Sequence, residues 1–172
     1  MTPSVIEIRI SEEDRRIARL AAAAVGLSLV DAAIPTPLPG VKPGLANIIT
    51  LYVLACHGWQ TAAWVSGLRV VVGALLLGHF LAPAFFLSLA GAVVSLAVLA
   101  LAIRLPKTWF GPVSWSILAA LSHIGGQLLL ARLWLIPHNG IFLLAPILAA
   151  TALFFGTMNG LITARLLYDR EP

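Results

Sequence analysis

Arg69, His123 and Gln127 are the side chains with most chemistry to offer, because each stands inside a long apolar run. Arg69 lies nine residues from each end of the stretch 60–78, near the middle of the helix that this stretch predicts. A guanidinium in mid-membrane costs roughly 2.5–3.5 kcal/mol on insertion scales, so it must face an interior partner. That partner is either an anionic or acceptor-rich ligand, or a structural clamp made of a carboxylate or backbone carbonyls. His123 and Gln127 are four apart and share one helix face, and Ser116, seven before His123, extends the stripe. Such a stripe hydrogen-bonds a ligand or glues helices together.

Other polar residues cluster toward segment ends. Asp31 lies one turn before Pro35 and needs a partner or water, for which Lys42 and Arg132 are the candidates, giving a polar pocket on that side. Arg132 is close enough to a helix end to reach the interface by snorkelling. Asn47, just after Gly44-Leu45-Ala46, either caps a helix or points at a ligand. Asn159 sits between small residues as an interhelical hydrogen bond. His57, His79 and His138 stand apart from the His123 stripe, and no carboxylate is spaced to complete a metal site. The single cysteine, Cys56, excludes an intramolecular disulfide and reads as a small buried hydrophobe. No cofactor or metal is expected.

The elements that must position these groups follow from composition. The chain has 172 residues, 60% hydrophobic and only 10% charged, with a mean hydropathy of +0.97. Soluble domains carry about 25% charged residues, so an ordinary cytosolic globule is excluded. No polar stretch is long enough for a soluble catalytic domain or a nucleic-acid module. At about 20 apolar residues per crossing, five or six crossings fit. The reading is an all-α polytopic membrane protein of six transmembrane helices: 17–34, 45–59, 60–78, 83–105, 112–136 and 141–168. Residues 1–16 form a cytoplasmic leader, and 17–172 one transmembrane domain. The Pro35-Thr36-Pro37-Leu38-Pro39-Gly40 stretch is a stiff loop that ends the first helix.

Orientation follows from the basic residues. With the N-terminus inside, eight of them flank inner helix ends (Arg9, Arg15, Arg16, Arg19, Arg104, Lys107, Arg165 and Arg170), against Lys42 alone outside. Both termini are therefore cytoplasmic, in the inner membrane, with the proline-rich loop outside. Trp59, Trp109, Trp115 and Trp134 fall near helix ends as interfacial anchors. Small residues recur at close-packing spacing: Ala18, Ala22 and Gly26; Gly91 and Ser95; Ser122 and Gly126; Gly156 and Gly160. The first of these stripes serves either internal packing or a partner helix. No internal repeat is visible.

The run Ile34-Pro35-Thr36-Pro37-Leu38-Pro39-Gly40-Val41-Lys42-Pro43-Gly44-Leu45-Ala46-Asn47-Ile48-Ile49-Thr50-Leu51 resembles the signature of the Gx transporter family, often labelled heptaprenyl diphosphate synthase component I. Val65-Ser66-Gly67-Leu68-Arg69-Val70 with Gly78, Phe86-Leu87-Ser88-Leu89-Ala90-Gly91 with Ser95, and Ser116-Ile117 with His123-Ile124-Gly125-Gly126-Gln127-Leu128 resemble its later motifs. The resemblance spans about 18–168. Two positions depart from the pattern: Pro43 stands where an apolar residue is usual, and Ile124 where Asn often follows the histidine.

That family is similar in fold to the substrate-binding S components of energy-coupling factor transporters. These six-helix proteins hold micronutrients under the loop between helices one and two, and work with a coupling transmembrane protein and ATPase subunits. The resemblance implies a ligand pocket lined by Asp31, Lys42, Asn47, Arg69, His123 and Gln127, the proline-rich loop as its lid, and Ala18, Ala22 and Gly26 as the partner-binding surface. The expected ligand is small and anionic or amphipathic, such as an isoprenoid or quinone precursor or a flavin-like vitamin. Neither a DDxxD pair for magnesium diphosphate nor a Walker motif is present, so no enzyme is expected. The alternatives are a membrane accessory subunit of a prenyl diphosphate synthase, and a structural membrane protein.

Overall fold

A computed structural model describes residues 10–35, 42–106 and 110–169. The loop segment 36–41, Arg9, Lys107, Trp109 and Arg170 lie outside the described residues. Among those described, every regular element is helical. The helices are α1 (Glu12–Ala33), α2 (Ala46–Leu76), α3 (Pro83–Ala102), α4 (Pro112–Leu130) and α5 (Ala145–Tyr168), with a π turn at Ala131–Leu135 and a 3-10 turn at Asn139–Leu144.

Local sequence explains the ends. Ser11 caps α1 reciprocally: its hydroxyl accepts from the Asp14 N–H at 3.1 Å, while Asp14 Oδ2 accepts from the Ser11 N–H at 2.9 Å. The Ser11 hydroxyl also donates to Asp14 Oδ2 at 2.7 Å, and this bond, then that from the Ser11 N–H, holds the Asp14 carboxyl below the usual carboxylate range. The helix therefore begins at Glu12, inside the stretch read as leader, and runs unbroken into the apolar segment. Pro83 and Pro112 each stand in the first turn of their helices, where the missing N–H costs nothing.

Segments two and three form one helix by backbone hydrogen bonding, broken at Gly58, whose φ of 83° and ψ of 177° suit glycine alone. The break reverses the chain. Asn47 and Arg69 lie eleven residues either side of Gly58, a span of roughly 33 Å in a straight helix, yet both line one cavity. Trp59 secures the bend by donating from Nε1 to the Leu96 carbonyl at 3.0 Å.

The core joins both arms of α2 to α1, α3 and α4, with Leu51, Val53, Val65 and Leu99 fully buried. Trp115 is also in this core, so it packs the interior and is not the interfacial anchor expected of it. Cys56 is only half-buried. Along α3, α4 and α5 the glycines allow close approach: a Cβ on Gly160 would stand 2.6 Å from the Val113 Cα, and one on Gly126 2.9 Å from the Ala90 carbonyl.

The outer faces are apolar. Trp64, Leu101, Leu133, Leu143 and Phe154 are all exposed, an arrangement suited to lipid and unsuited to water. Three helical stretches, Pro83–Ala102, Pro112–Leu135 and Asn139–Tyr168, are long and apolar enough to cross a membrane. These features mark a helical membrane protein.

Candidate functional site

All six residues expected at a ligand site line one cavity of about 480 Å³. It lies where α1 ends and α2 begins, and reaches down between α2, α3, α4 and α5. Asp31 comes from the last turn of α1, Lys42 from the segment entering α2, Asn47 and Arg69 from the two arms of α2, and His123 and Gln127 from α4. Val70, Phe85, Leu96 and Phe155 supply apolar wall.

Arg69 is half-buried, and its Nε is shielded from solvent without a hydrogen-bond partner among the described residues. Among the described residues no carboxylate comes within 4.0 Å of it, so the structural clamp of the sequence reading is not built as an ion pair. It does act electrostatically on both Asp31 and His123. His123 Nε2 and Gln127 Nε2 are 3.3 Å apart, and the imidazole packs against Gly91, where a Cβ would come within 2.7 Å. The close approach of α3 at Gly91 thus makes room for the ring.

Asp31 is 6% exposed. Its carboxylate stands near the backbone N–H groups of Leu45 and Ala46 at the start of α2, which are among the donors a helix leaves unpaired. Asn47, one residue inside α2, makes no capping bond, which removes the capping reading. One carboxylate oxygen, Oδ1, is buried and has no hydrogen-bond partner among the described residues. Of the partners expected for Asp31, Lys42 is within electrostatic reach but makes no ion pair among the described residues. Arg132 is elsewhere, donating from Nε to Asn139 Oδ1 at 3.0 Å near the helix end.

Ser116 does not join the cavity. It is fully buried on the α5 side, where a Cβ on Gly160 would approach its own Cβ to 3.0 Å. Among the described residues, no group of three or more His, Cys, Asp and Glu side chains is placed to hold a metal ion.

A family model described as heptaprenyl diphosphate synthase component I matches residues 20–166. The chain belongs to that family. No curated protein and no solved structure matches it.

The match to heptaprenyl diphosphate synthase component I spans the whole cavity, including residues that the sequence reading left out. Asn159 donates from Nδ2 to the carbonyls of Pro43 and Gly44, at 2.9 and 3.2 Å, and so fixes the segment entering α2 rather than bridging two helices. Thr50 and His79 also line the cavity, each with a buried polar atom lacking a partner. His79 follows the apolar stretch 60–78 and stands off the His123 stripe in sequence. The turn that Gly78 makes with φ 71° carries it back over the bundle. Only the alternation of polar residues Asn47 and Thr50 on one face of α2 could have flagged Thr50 in advance.

Ala18, Ala22 and Gly26 are exposed on α1, and a Cβ on Gly26 would meet nothing within 4 Å. This component I chain therefore does not use that stripe for internal packing.

Proposed function

We propose that the chain is the substrate-binding component of a micronutrient importer of the energy-coupling factor type, taking a small anionic or amphipathic ligand into this cavity from the outer side. Arg69 carries the reading. A cation held inside an apolar bundle, beside a cavity of about 480 Å³ and with its Nε unpartnered among the described residues, is arranged for an outside acceptor. A lining of both polar groups and apolar wall suits a ligand of both characters.

In this reading α1, the two arms of α2, α3, α4 with its π turn, and α5 make six crossings of the inner membrane, with both termini cytoplasmic as the arginine distribution favours. The exposed Ala18, Ala22 and Gly26 face of α1 receives a coupling transmembrane protein. The paired ATPases that drive transport belong to that partner, and the chain performs no catalysis of its own. A proteoliposome uptake assay with and without the coupling proteins tests the reading: Arg69→Ala abolishes uptake while the protein stays folded.

The family's description favours a second reading, a membrane accessory subunit of a prenyl diphosphate synthase. Co-purification decides between them. Capture of a prenyltransferase supports the accessory role, and capture of a membrane coupling protein with ATPases supports import.

A further inference from the structure

The cavity offers an acceptor as well as a cation, and that restricts what can occupy it. Among the described residues, Asp31 lines the cavity with Oδ1 buried and without a hydrogen-bond partner, near the N–H groups of Leu45 and Ala46. Arg69 lines the same cavity with Nε unpartnered, and Thr50 adds a buried hydroxyl that can donate or accept. A buried carboxylate oxygen left without a donor is costly. A ligand presenting only acceptors would satisfy Arg69 and leave Asp31 facing a like charge.

The charged side chains that line the cavity are Lys42, Arg69 and Asp31, and Lys42 is exposed. Two cations against one acid neutralise a single negative charge. A diphosphate ester carries several charges and no donor at neutral pH, and it would set them against Asp31. Phe85 and Phe155 line the apolar part and give flat surfaces suited to a ring.

Resting on the ligand-binding reading above, we infer that Asp31 is a specificity residue, and that the cavity selects a singly charged ring acid bearing a hydroxyl or N–H donor. The acid faces Arg69 and the donor faces Asp31 Oδ1. Multiply charged prenyl diphosphates are rejected by the same carboxylate.

Isothermal titration of the full chain in detergent micelles tests this with four probes: 4-hydroxybenzoate, 4-methoxybenzoate, benzoate and farnesyl diphosphate. The hydroxy acid binds about tenfold tighter than the methoxy acid, which keeps the size and loses the donor. Benzoate and farnesyl diphosphate bind as weakly as the methoxy acid or not at all. Asp31→Asn, which keeps an oxygen for the α2 N–H groups, brings the hydroxy and methoxy acids to within about twofold, and Arg69→Ala removes binding of all four. The wild-type series carries the test by itself should Asp31→Asn not fold. Equal binding of the three benzoates, or tightest binding of farnesyl diphosphate, with either lost in Arg69→Ala, overturns the specificity inference and leaves the ligand-binding reading standing. Absence of Arg69-dependent binding for every probe overturns both.

Discussion

Asn159 on α5 donates to the carbonyl of Pro43, 2.9 Å away across 116 residues of chain. The same amide reaches the Gly44 carbonyl, so one side chain fixes the entry to α2 beside Lys42 and Asn47. Gly44 accepts this position with φ 70°, which a side chain would strain.

Asn159→Ala therefore leaves two carbonyls without their donor and destabilises the fold by about 1–3 kcal/mol. Thermal denaturation in detergent checks this. Asn159→Asp is worse than Ala, because it turns an acceptor toward two acceptors.

Two glycine-to-alanine changes on different helices should diverge. In Gly160→Ala the new Cβ meets the Val113 Cα at 2.6 Å, and backbone cannot yield as a side chain can. The seam between α4 and α5 opens, with a loss of roughly 1–3 kcal/mol or more. In Gly26→Ala the Cβ meets nothing, and helix propensity raises stability by up to about 1 kcal/mol. Melting temperatures of the two variants, measured side by side, carry the comparison.

Gly91→Ala drives a methyl to 2.7 Å from the His123 ring. An imidazole can swing aside, so the fold survives, but the contact with Gln127 is lost. Ligand affinity falls about tenfold while the melting temperature changes by little. Unchanged affinity would place His123 outside the binding function.

At Gly58, space is not the issue, since a Cβ there touches nothing within 4 Å. The backbone angles are, and Gly58→Ala should cost about 1–3 kcal/mol through strain alone. Equilibrium unfolding in detergent measures it, and Gly58→Asn should cost no less because this region excludes every side chain.

Much of this fold is legible in the sequence because apolar runs and proline punctuation are local signals. Pro35, Pro83 and Pro112 mark helix boundaries within a residue or two of where they occur. Arg69, His123 and Gln127 stand out because a polar group in an apolar run must be explained. What the sequence does not reveal depends on contacts between distant residues. Nothing local to Asp31 indicates that it lines a cavity beside the start of α2, and nothing near Asn159 points to Pro43. Ser116 shares a helix face with His123 by spacing alone, yet the close seam at Gly160 draws it toward α5. His79 reaches the cavity through a turn after a helix, which unlike the helix carries no periodicity.

Native mass spectrometry of the protein purified from its own membranes, without added ligand, tests most directly whether Arg69 holds a ligand. The wild type should carry a small-molecule adduct of defined mass, and Arg69→Ala should lose it at an unchanged melting temperature. An adduct retained by Arg69→Ala, or a wild type that carries none while Arg69→Ala fails to fold, would contradict the binding role and return Arg69 to a purely structural one.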